Sequence, residues 1–110
     1  YYSFNPIKIS VSTDEFYLLE NRKITVTGYF TDGGILITHI LDNQTNQNTT
    51  SSKRVDVEEA EVTDLDTNGG NSGDSNDYWR SGNGTSFSEN SKTVNNFSAA
   101  GSTMTLDISM

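Results

Sequence analysis

Apolar and polar residues alternate one by one along several short segments, and this pattern constrains the fold of the chain more than any other feature. Successive side chains of a strand point to opposite faces of a sheet, so alternation predicts strands with one buried face. No window of the sequence has the spacing of an amphipathic helix. The alternating segments are residues 7–11, 24–30, 55–57 and 104–110, and residues 35–41, apolar on both faces, predict a central strand.

The apolar residues are few, so the sequence predicts a thin core. They make up 32% of the 110 residues, with one proline and no cysteine. Asn, Ser, Thr, Gly and Asp, which favour turns and loops, dominate the remainder. We therefore predict one all-β domain over residues 1–110, with six to eight short strands, a long polar acidic loop, and residues 1–6 as an N-terminal extension.

The net charge is strongly negative and falls in the second half of the chain. The formal charge is −8 and the isoelectric point is about 4.3. This sign disfavours nucleic-acid backbones and anionic membrane surfaces as partners, and no membrane insertion is expected. Residues 56–77 hold eight carboxylates and no Lys or Arg. A run of one sign predicts either a solvated surface or a cation site.

The acidic run contains a candidate calcium loop at residues 64–69, whose Asp-x-Asp-x-Asn-Gly spacing aims alternate oxygen ligands at one centre. The twelfth position, which is a bidentate acid in an EF-hand, is Ser75, so an EF-hand is not predicted. The alternative is a solvated turn, because Asp and Asn suit turns without a metal. The candidate calcium ligands are Asp64, Asp66, Asn68, Gly70, Asp74 and Asp77.

The aromatic pair Tyr78 and Trp79 lies beside polar loops and has two interpretations. Aromatic rings at a surface can stack on a sugar, which makes the pair a candidate carbohydrate-binding site. The alternative, which we favour for Trp79, is that a thin core needs its largest side chain. The aromatic N-terminus has two interpretations as well: Tyr1, Tyr2 and Phe4 either cover their own domain or contact a neighbouring subunit.

No catalytic residue is predicted from the sequence. His39 is the only histidine, and it shares a strand face with Ile35 and Ile37, so it favours packing over catalysis. This one histidine would have to be the general base of any catalytic triad, and no serine lies in a nucleophile elbow. Four sequons make Asn43, Asn48, Asn83 and Asn96 candidate glycosylation sites, of which all but Asn96 fall in polar loops.

Four short stretches in the first third of the chain occur together in a known arrangement. They are the alternating strand 7–12, the apolar segment 16–20, the strand 23–28 that ends in Thr-Gly, and the turn 31–34. This arrangement resembles the opening of bacterial and archaeal immunoglobulin-like surface domains. In that family a Gly-Glu pair closes the apolar segment, whereas here the pair is Glu20-Asn21. The resemblance implies a sandwich displayed on a cell, virion or filament surface, without catalytic residues.

These observations together predict an immunoglobulin-like or jelly-roll β-sandwich that is extracellular, secreted or surface-displayed. The first functional hypothesis is a non-catalytic structural subunit or adhesive module of a surface filament, pilus-like fibre or virion, which associates with itself or with other surface subunits. The second is a calcium-dependent carbohydrate-binding module. The third and least favoured hypothesis is a hydrolase.

Overall fold

The computed structural model describes residues 5–22, 33–44, 53–61 and 75–110. These residues form seven strands in two antiparallel sheets, and their only helical segment is the 3-10 turn Ser75–Asp77. The first sheet contains, in order, β1 Ile7–Ser10, β2 Glu15–Arg22, β3 Gly34–Leu41 and β4 Val55–Glu58. The second contains, in order, β5 Ser86–Glu89, β6 Lys92–Asn95 and β7 Asp107–Ser109.

The all-β prediction is confirmed, and the two sheets are consistent with a β-sandwich. Each sheet is a meander in which neighbours in the chain are neighbours in space, and the described strands change sheet once, between β4 and β5. The predicted central strand at 35–41 is confirmed, because β3 lies between β2 and β4. None of the helical structure in the described part of the chain has the length or apolar character needed to cross a bilayer.

Strand boundaries differ from the predicted ones in two places. The apolar segment 16–20 is part of the strand β2, which has eight residues and extends to Arg22. The predicted strand at 104–110 is shorter, since β7 covers only Asp107–Ser109, although Met104 and Leu106 still pack against the core. The predicted strand at 24–30 lies outside the described residues.

The core is formed by the inward residues of both sheets. In the register of β2 and β3, Tyr17 lies opposite His39 and Leu19 opposite Ile37. The inward positions therefore follow the period of two that the sequence predicts for strands. One buried cluster results, which contains Ile9, Tyr17, Leu19, Ile35, Ile37, Trp79, Phe87, Val94 and Phe97.

Trp79 connects the two layers although it lies outside the seven strands. Its backbone pairs with Ile35, with N–H to O distances of 2.9 and 2.8 Å in the two directions. Its indole Nε1 donates to the carbonyl oxygen of Glu58 at 2.7 Å. The ring packs on Phe87 and Phe97, with centroids 6.0 and 5.5 Å away. The side chain is thus hydrogen-bonded to the first sheet and packed against residues that belong to the second layer.

A glycine makes room for this indole. Gly84 has a φ of +77°, and a Cβ at this position would lie 2.5 Å from Cε3 of Trp79. Gly82 also has a positive φ, +86°, but a Cβ there would meet no atom within 4 Å. The two glycines therefore share the left-handed backbone and differ in the space around the missing Cβ, so they form a matched pair.

We predict that Gly84→Ala lowers the free energy of unfolding by about 2–4 kcal/mol, because left-handed strain of about 1 kcal/mol adds to overpacking against a buried ring. The control Gly82→Ala introduces the strain alone and is expected to lower it by about 1 kcal/mol. Equilibrium denaturation in urea measures both values. Equal losses in the two variants would show that the indole of Trp79 does not require a glycine at position 84.

Candidate functional site

The predicted calcium loop is only partly described. Five of the six candidate ligands lie outside the described residues, so calcium binding there stays a prediction; they are Asp64, Asp66, Asn68, Gly70 and Asp74. The sixth, Asp77, closes the 3-10 turn and is 5% exposed. Its carbonyl oxygen accepts a hydrogen bond from the backbone of Ala60 at 3.1 Å. Asp77 is therefore part of the packed interior beside β4.

The aromatic pair does not form an exposed platform. Trp79 is 7% exposed and its ring contacts Phe87 and Phe97, so its faces are not available to a sugar ring. The interpretation of Trp79 as a sugar contact is therefore replaced by the alternative, in which its large side chain fills the thin core. Tyr78 is half-buried. Because the indole of Trp79 is in the core, Tyr78 is the one ring of the predicted pair that is left for a sugar contact.

The candidate glycosylation sites differ in what their amide nitrogens already bind. Nδ2 of Asn83 donates to the carbonyl oxygens of Asn76 and Tyr78 at 2.7 and 2.8 Å. Nδ2 of Asn96 donates to Asp107 at 2.7 Å. Glycosylation replaces one of the two amide hydrogens, so a glycan at Asn83 would cost one of its two contacts, whereas Asn96 keeps a hydrogen for its single contact. Asn43 is exposed in the turn after β3. Asn48 lies outside the described residues.

Strands near both ends of the chain form sheet edges. Among the strands that the structure describes, β1 is outermost in the first sheet and β7 is outermost in the second. The backbone N–H of Val11 donates to Glu15 at 2.9 Å, so by the alternation of antiparallel pairing the N–H groups of Lys8 and Ser10 point away from β2. The predicted subunit-contact residues Tyr1, Tyr2 and Phe4 precede this edge and lie outside the described residues.

A second feature, which we call the His39 cluster, occupies one end of the buried face. Its members come from three strands of the first sheet and from the β5–β6 hairpin of the second. The period of two places them there, because Glu15 and Tyr17 share a face of β2, and Glu58 lies opposite the buried Ile37. The His39 cluster consists of Glu15, Tyr17, His39, Glu58, Glu89 and Asn90.

His39 is held from two sides. Its ring stacks on Tyr17 with centroids 4.6 Å apart, and its Nε2 lies 2.9 Å from Oε1 of Glu15. A carboxylate only accepts hydrogen bonds, so Nε2 carries a proton, and in the neutral tautomer Nδ1 is then the nitrogen with the free lone pair. Nδ1 faces Oε1 of Glu58 at 3.6 Å, which is too long for a hydrogen bond.

Tyr17 holds the third carboxylate. Its hydroxyl donates to Oε2 of Glu89 at 2.8 Å and accepts from Nδ2 of Asn90 at 2.7 Å. Burial raises the pKa of the Tyr17 phenol far above its usual range, and the hydrogen bond to Glu89 raises it further. The phenol therefore stays protonated at any physiological pH and remains a hydrogen-bond donor to Glu89.

Negative charge is concentrated around Glu58. Burial raises the pKa of its carboxyl to about 7, and the charges of Glu89 and Asp56 raise it too, while His39 acts in the opposite direction. Lys53 compensates Asp56, with Nζ and Oδ1 at 3.3 Å. The cluster can therefore take up a proton or a cation near Glu58.

The sequence alone identified one member of this cluster, His39, and assigned it to packing. Glu15, Glu58 and Glu89 were missed because their convergence depends on strand register and on the contact between sheets. The inward parity of Glu15 with Tyr17 was the one signal available in the sequence. Comparison of the chain with protein-family models, with curated proteins and with solved structures found no match.

We predict that Glu58→Gln stabilises the protein above pH 7. The folded pKa of about 7 exceeds the ordinary value of 4.5, so the wild-type protein loses stability as pH rises from 4.5 to 7. The variant lacks this loss and should be more stable at pH 8 by about 1–2 kcal/mol, which is less than full linkage because the carboxyl is partly exposed. Near pH 4 the difference should vanish.

Denaturation at pH 4, 6 and 8 in a chelator-treated buffer measures the difference. The control Glu20→Gln removes a carboxylate that pairs with Arg22 at 2.8 Å outside the cluster, and it should not reproduce the gain at pH 8. If Glu58→Gln destabilises the protein equally at all three pH values, the carboxyl of Glu58 is not the unfavourably buried charge inferred from its surroundings.

Proposed function

We propose that this chain is a non-catalytic structural or adhesive module, secreted or surface-displayed, which associates with neighbouring subunits through an open strand edge. The observation that carries the proposal is that β1, which follows residues 1–6, is the outermost of the described strands in its sheet. Surface filaments, pilus-like fibres and virions are the assemblies in which such a module is expected. The resemblance of residues 7–34 to immunoglobulin-like surface domains supports the same role.

The edge at β1 has little protection against pairing. An outermost strand presents unpaired N–H and C=O groups, and proteins commonly block them with charges, proline or bulges. The only charged side chain of β1 is Lys8, and its Nζ lies 4.2 Å from the ring centroid of Phe16 on β2. The charge is therefore turned back over the sheet, and within the described part of the chain the N–H groups of Lys8 and Ser10 pair with no other strand.

The thin core makes such pairing favourable. Ile7 on β1 is 43% exposed, although it is one of the larger apolar side chains of a chain that has few. Covering an exposed apolar side chain of this size contributes about 1–3 kcal/mol, and main-chain hydrogen bonds along the edge add register. A neighbouring subunit would thus supply apolar cover that the domain does not provide for this residue.

We predict that Ile7→Lys abolishes self-association, because a charge at the edge opposes strand pairing. The control is Val55→Lys on β4, which is at the other end of the described strand order and where the side chain is 44% exposed. Sedimentation velocity over a hundredfold range of protein concentration should show assembly of the wild type and of Val55→Lys, with Ile7→Lys monomeric and equally stable. A wild type that stays monomeric throughout would refute association through β1.

We predict further that deletion of residues 1–6 yields a folded protein that no longer assembles, because Tyr1, Tyr2 and Phe4 then cannot contact a neighbour. Thermal unfolding at several protein concentrations separates this role from simple covering of the domain. Contact between subunits makes the wild-type midpoint rise with concentration and the truncated midpoint constant. A loss of stability that is the same at every concentration would assign residues 1–6 to their own domain.

A further inference from the structure

We propose that His39, Glu58 and Glu89 form a binding site for a divalent transition-metal ion, with Zn²⁺ as its representative, which joins the two sheets. This goes beyond the proposed function, because the edge at β1 requires no metal. The site is also distinct from the acidic segment 56–77, with which it shares Glu58 alone. It is a mixed nitrogen and oxygen set of donors, drawn from β3, β4 and β5.

The spacing of the donor atoms fits a metal ion better than it fits a hydrogen-bond network. One donor atom each from His39, Glu58 and Glu89 lie within 4.8 Å of one another. Nδ1 of His39 and Oε1 of Glu58 are 3.6 Å apart, too far for a hydrogen bond. Two ligands that each lie about 2.0–2.1 Å from a tetrahedral Zn²⁺ are about 3.3 Å apart. The pair from His39 and Glu58 therefore needs to close by about 0.3 Å, and the pairs with Glu89 from at most 4.8 Å. A water molecule would take the fourth position of a tetrahedral ion.

The carboxylate of Glu58 also has no hydrogen-bond donor among the described residues. Its Oε1 faces Nδ1 of His39, and in the neutral tautomer with the proton on Nε2 both of these atoms are acceptors. Two acceptors in a half-buried position repel each other unless a cation or a proton lies between them. A metal ion satisfies both groups and the third acceptor, Glu89, at the same time.

The surroundings hold two of the three ligands as metal sites require. Glu15 binds Nε2 of His39 at 2.9 Å, which fixes the tautomer and leaves Nδ1 as the ligand nitrogen. Tyr17 binds Oε2 of Glu89 at 2.8 Å, which leaves Oε1 for the ion. A carboxylate behind a ligand histidine is a recurring feature of zinc sites, and it raises the basicity of the imidazole.

The donor set also selects the class of ion. Ca²⁺ and Mg²⁺ take oxygen ligands, whereas an imidazole nitrogen with carboxylates suits Zn²⁺ and neighbouring first-row ions. Because His39 and Glu58 belong to the first sheet and Glu89 to the second, a bound ion would fasten the layers to each other. Binding to the folded state alone raises stability with the logarithm of the free-ion concentration.

The single histidine of the chain allows a direct test by NMR. Long-range ¹H–¹⁵N spectra of the ¹⁵N-labelled protein report His39 alone, and they distinguish Nδ1 from Nε2. We expect Zn²⁺ to shift the Nδ1 resonance while Nε2 keeps its proton, and Ca²⁺ at the same concentration to leave Nδ1 unchanged. Unmoved His39 signals at saturating Zn²⁺, coordination through Nε2, or an equal response to Ca²⁺ would each overturn the proposal.

A matched pair of variants tests the contribution of the second sheet. Glu89 is exposed at the end of β5, so Glu89→Gln should fold, and we expect it to weaken Zn²⁺ binding in calorimetric titrations by tenfold or more. Glu20→Gln makes the same charge change outside the cluster and should bind Zn²⁺ as the wild type does. An affinity for Zn²⁺ that is the same in all three proteins would overturn the assignment of Glu89 as a ligand.

Discussion

The indole of Trp79 donates a hydrogen bond to the carbonyl oxygen of Glu58 in the first sheet and packs against Phe87 and Phe97 of the second layer. The sandwich depends on this contact, because the two sheets share few large apolar side chains. The same ring leaves no room for a Cβ at position 84, which is a glycine. One side chain therefore contacts the last residue of β4, packs between the two layers and restricts the residue that can follow Asn83.

Apolar cover does not extend over the whole inner face. The row of Ile9, Tyr17 and His39 runs across three strands in register, and it changes from apolar to polar along its length. Around His39 the inner face carries the phenol of Tyr17 and the carboxylates of Glu15 and Glu58, and the exposed side chains of Glu89 and Asn90 reach Tyr17 from the second sheet. Buried polar groups are tolerated only when they are satisfied, which is why Tyr17 is hydrogen-bonded and why Glu58 takes a raised pKa. The His39 cluster is the part of the interior where a proton or an ion can substitute for packing.

Much of the fold follows from alternation in the sequence, and the reason is local. Side-chain parity assigns Ile7, Ile9 and Val11 to one face without any knowledge of their partners. Ile9 is buried and Val11 packs against the core, whereas Ile7, at the start of the edge strand, is 43% exposed. The length of β2, by contrast, depends on residues that are distant in the sequence. Its polar C-terminal end pairs with the start of β3, where Arg22 lies opposite Gly34. A strand with a weak pattern is completed by its neighbour, so its length could not be predicted from its own residues.

The candidate site was harder to predict than the fold, because it is made of contacts between distant parts of the chain. The hydrogen bond from Tyr17 to Glu89 spans 72 residues, and no spacing rule connects the two. Trp79 shows the opposite case. Its role in the core follows from the composition, since a chain with a single Trp and a thin core has few other residues of comparable volume.

The open edge and the His39 cluster are connected through the register of the first sheet. Ile9 of the edge strand β1 lies beside Tyr17, and Tyr17 stacks on His39. Ile9 and Tyr17 are both buried, so a shift of β1 relative to β2 would disturb the ring that holds His39 and Glu89. An ion that fixes His39 and Glu89 would accordingly also fix Tyr17, and with it the position of β1. Under the two proposals, metal binding in the interior and subunit pairing at the edge would therefore strengthen each other, because each orders the same row of side chains.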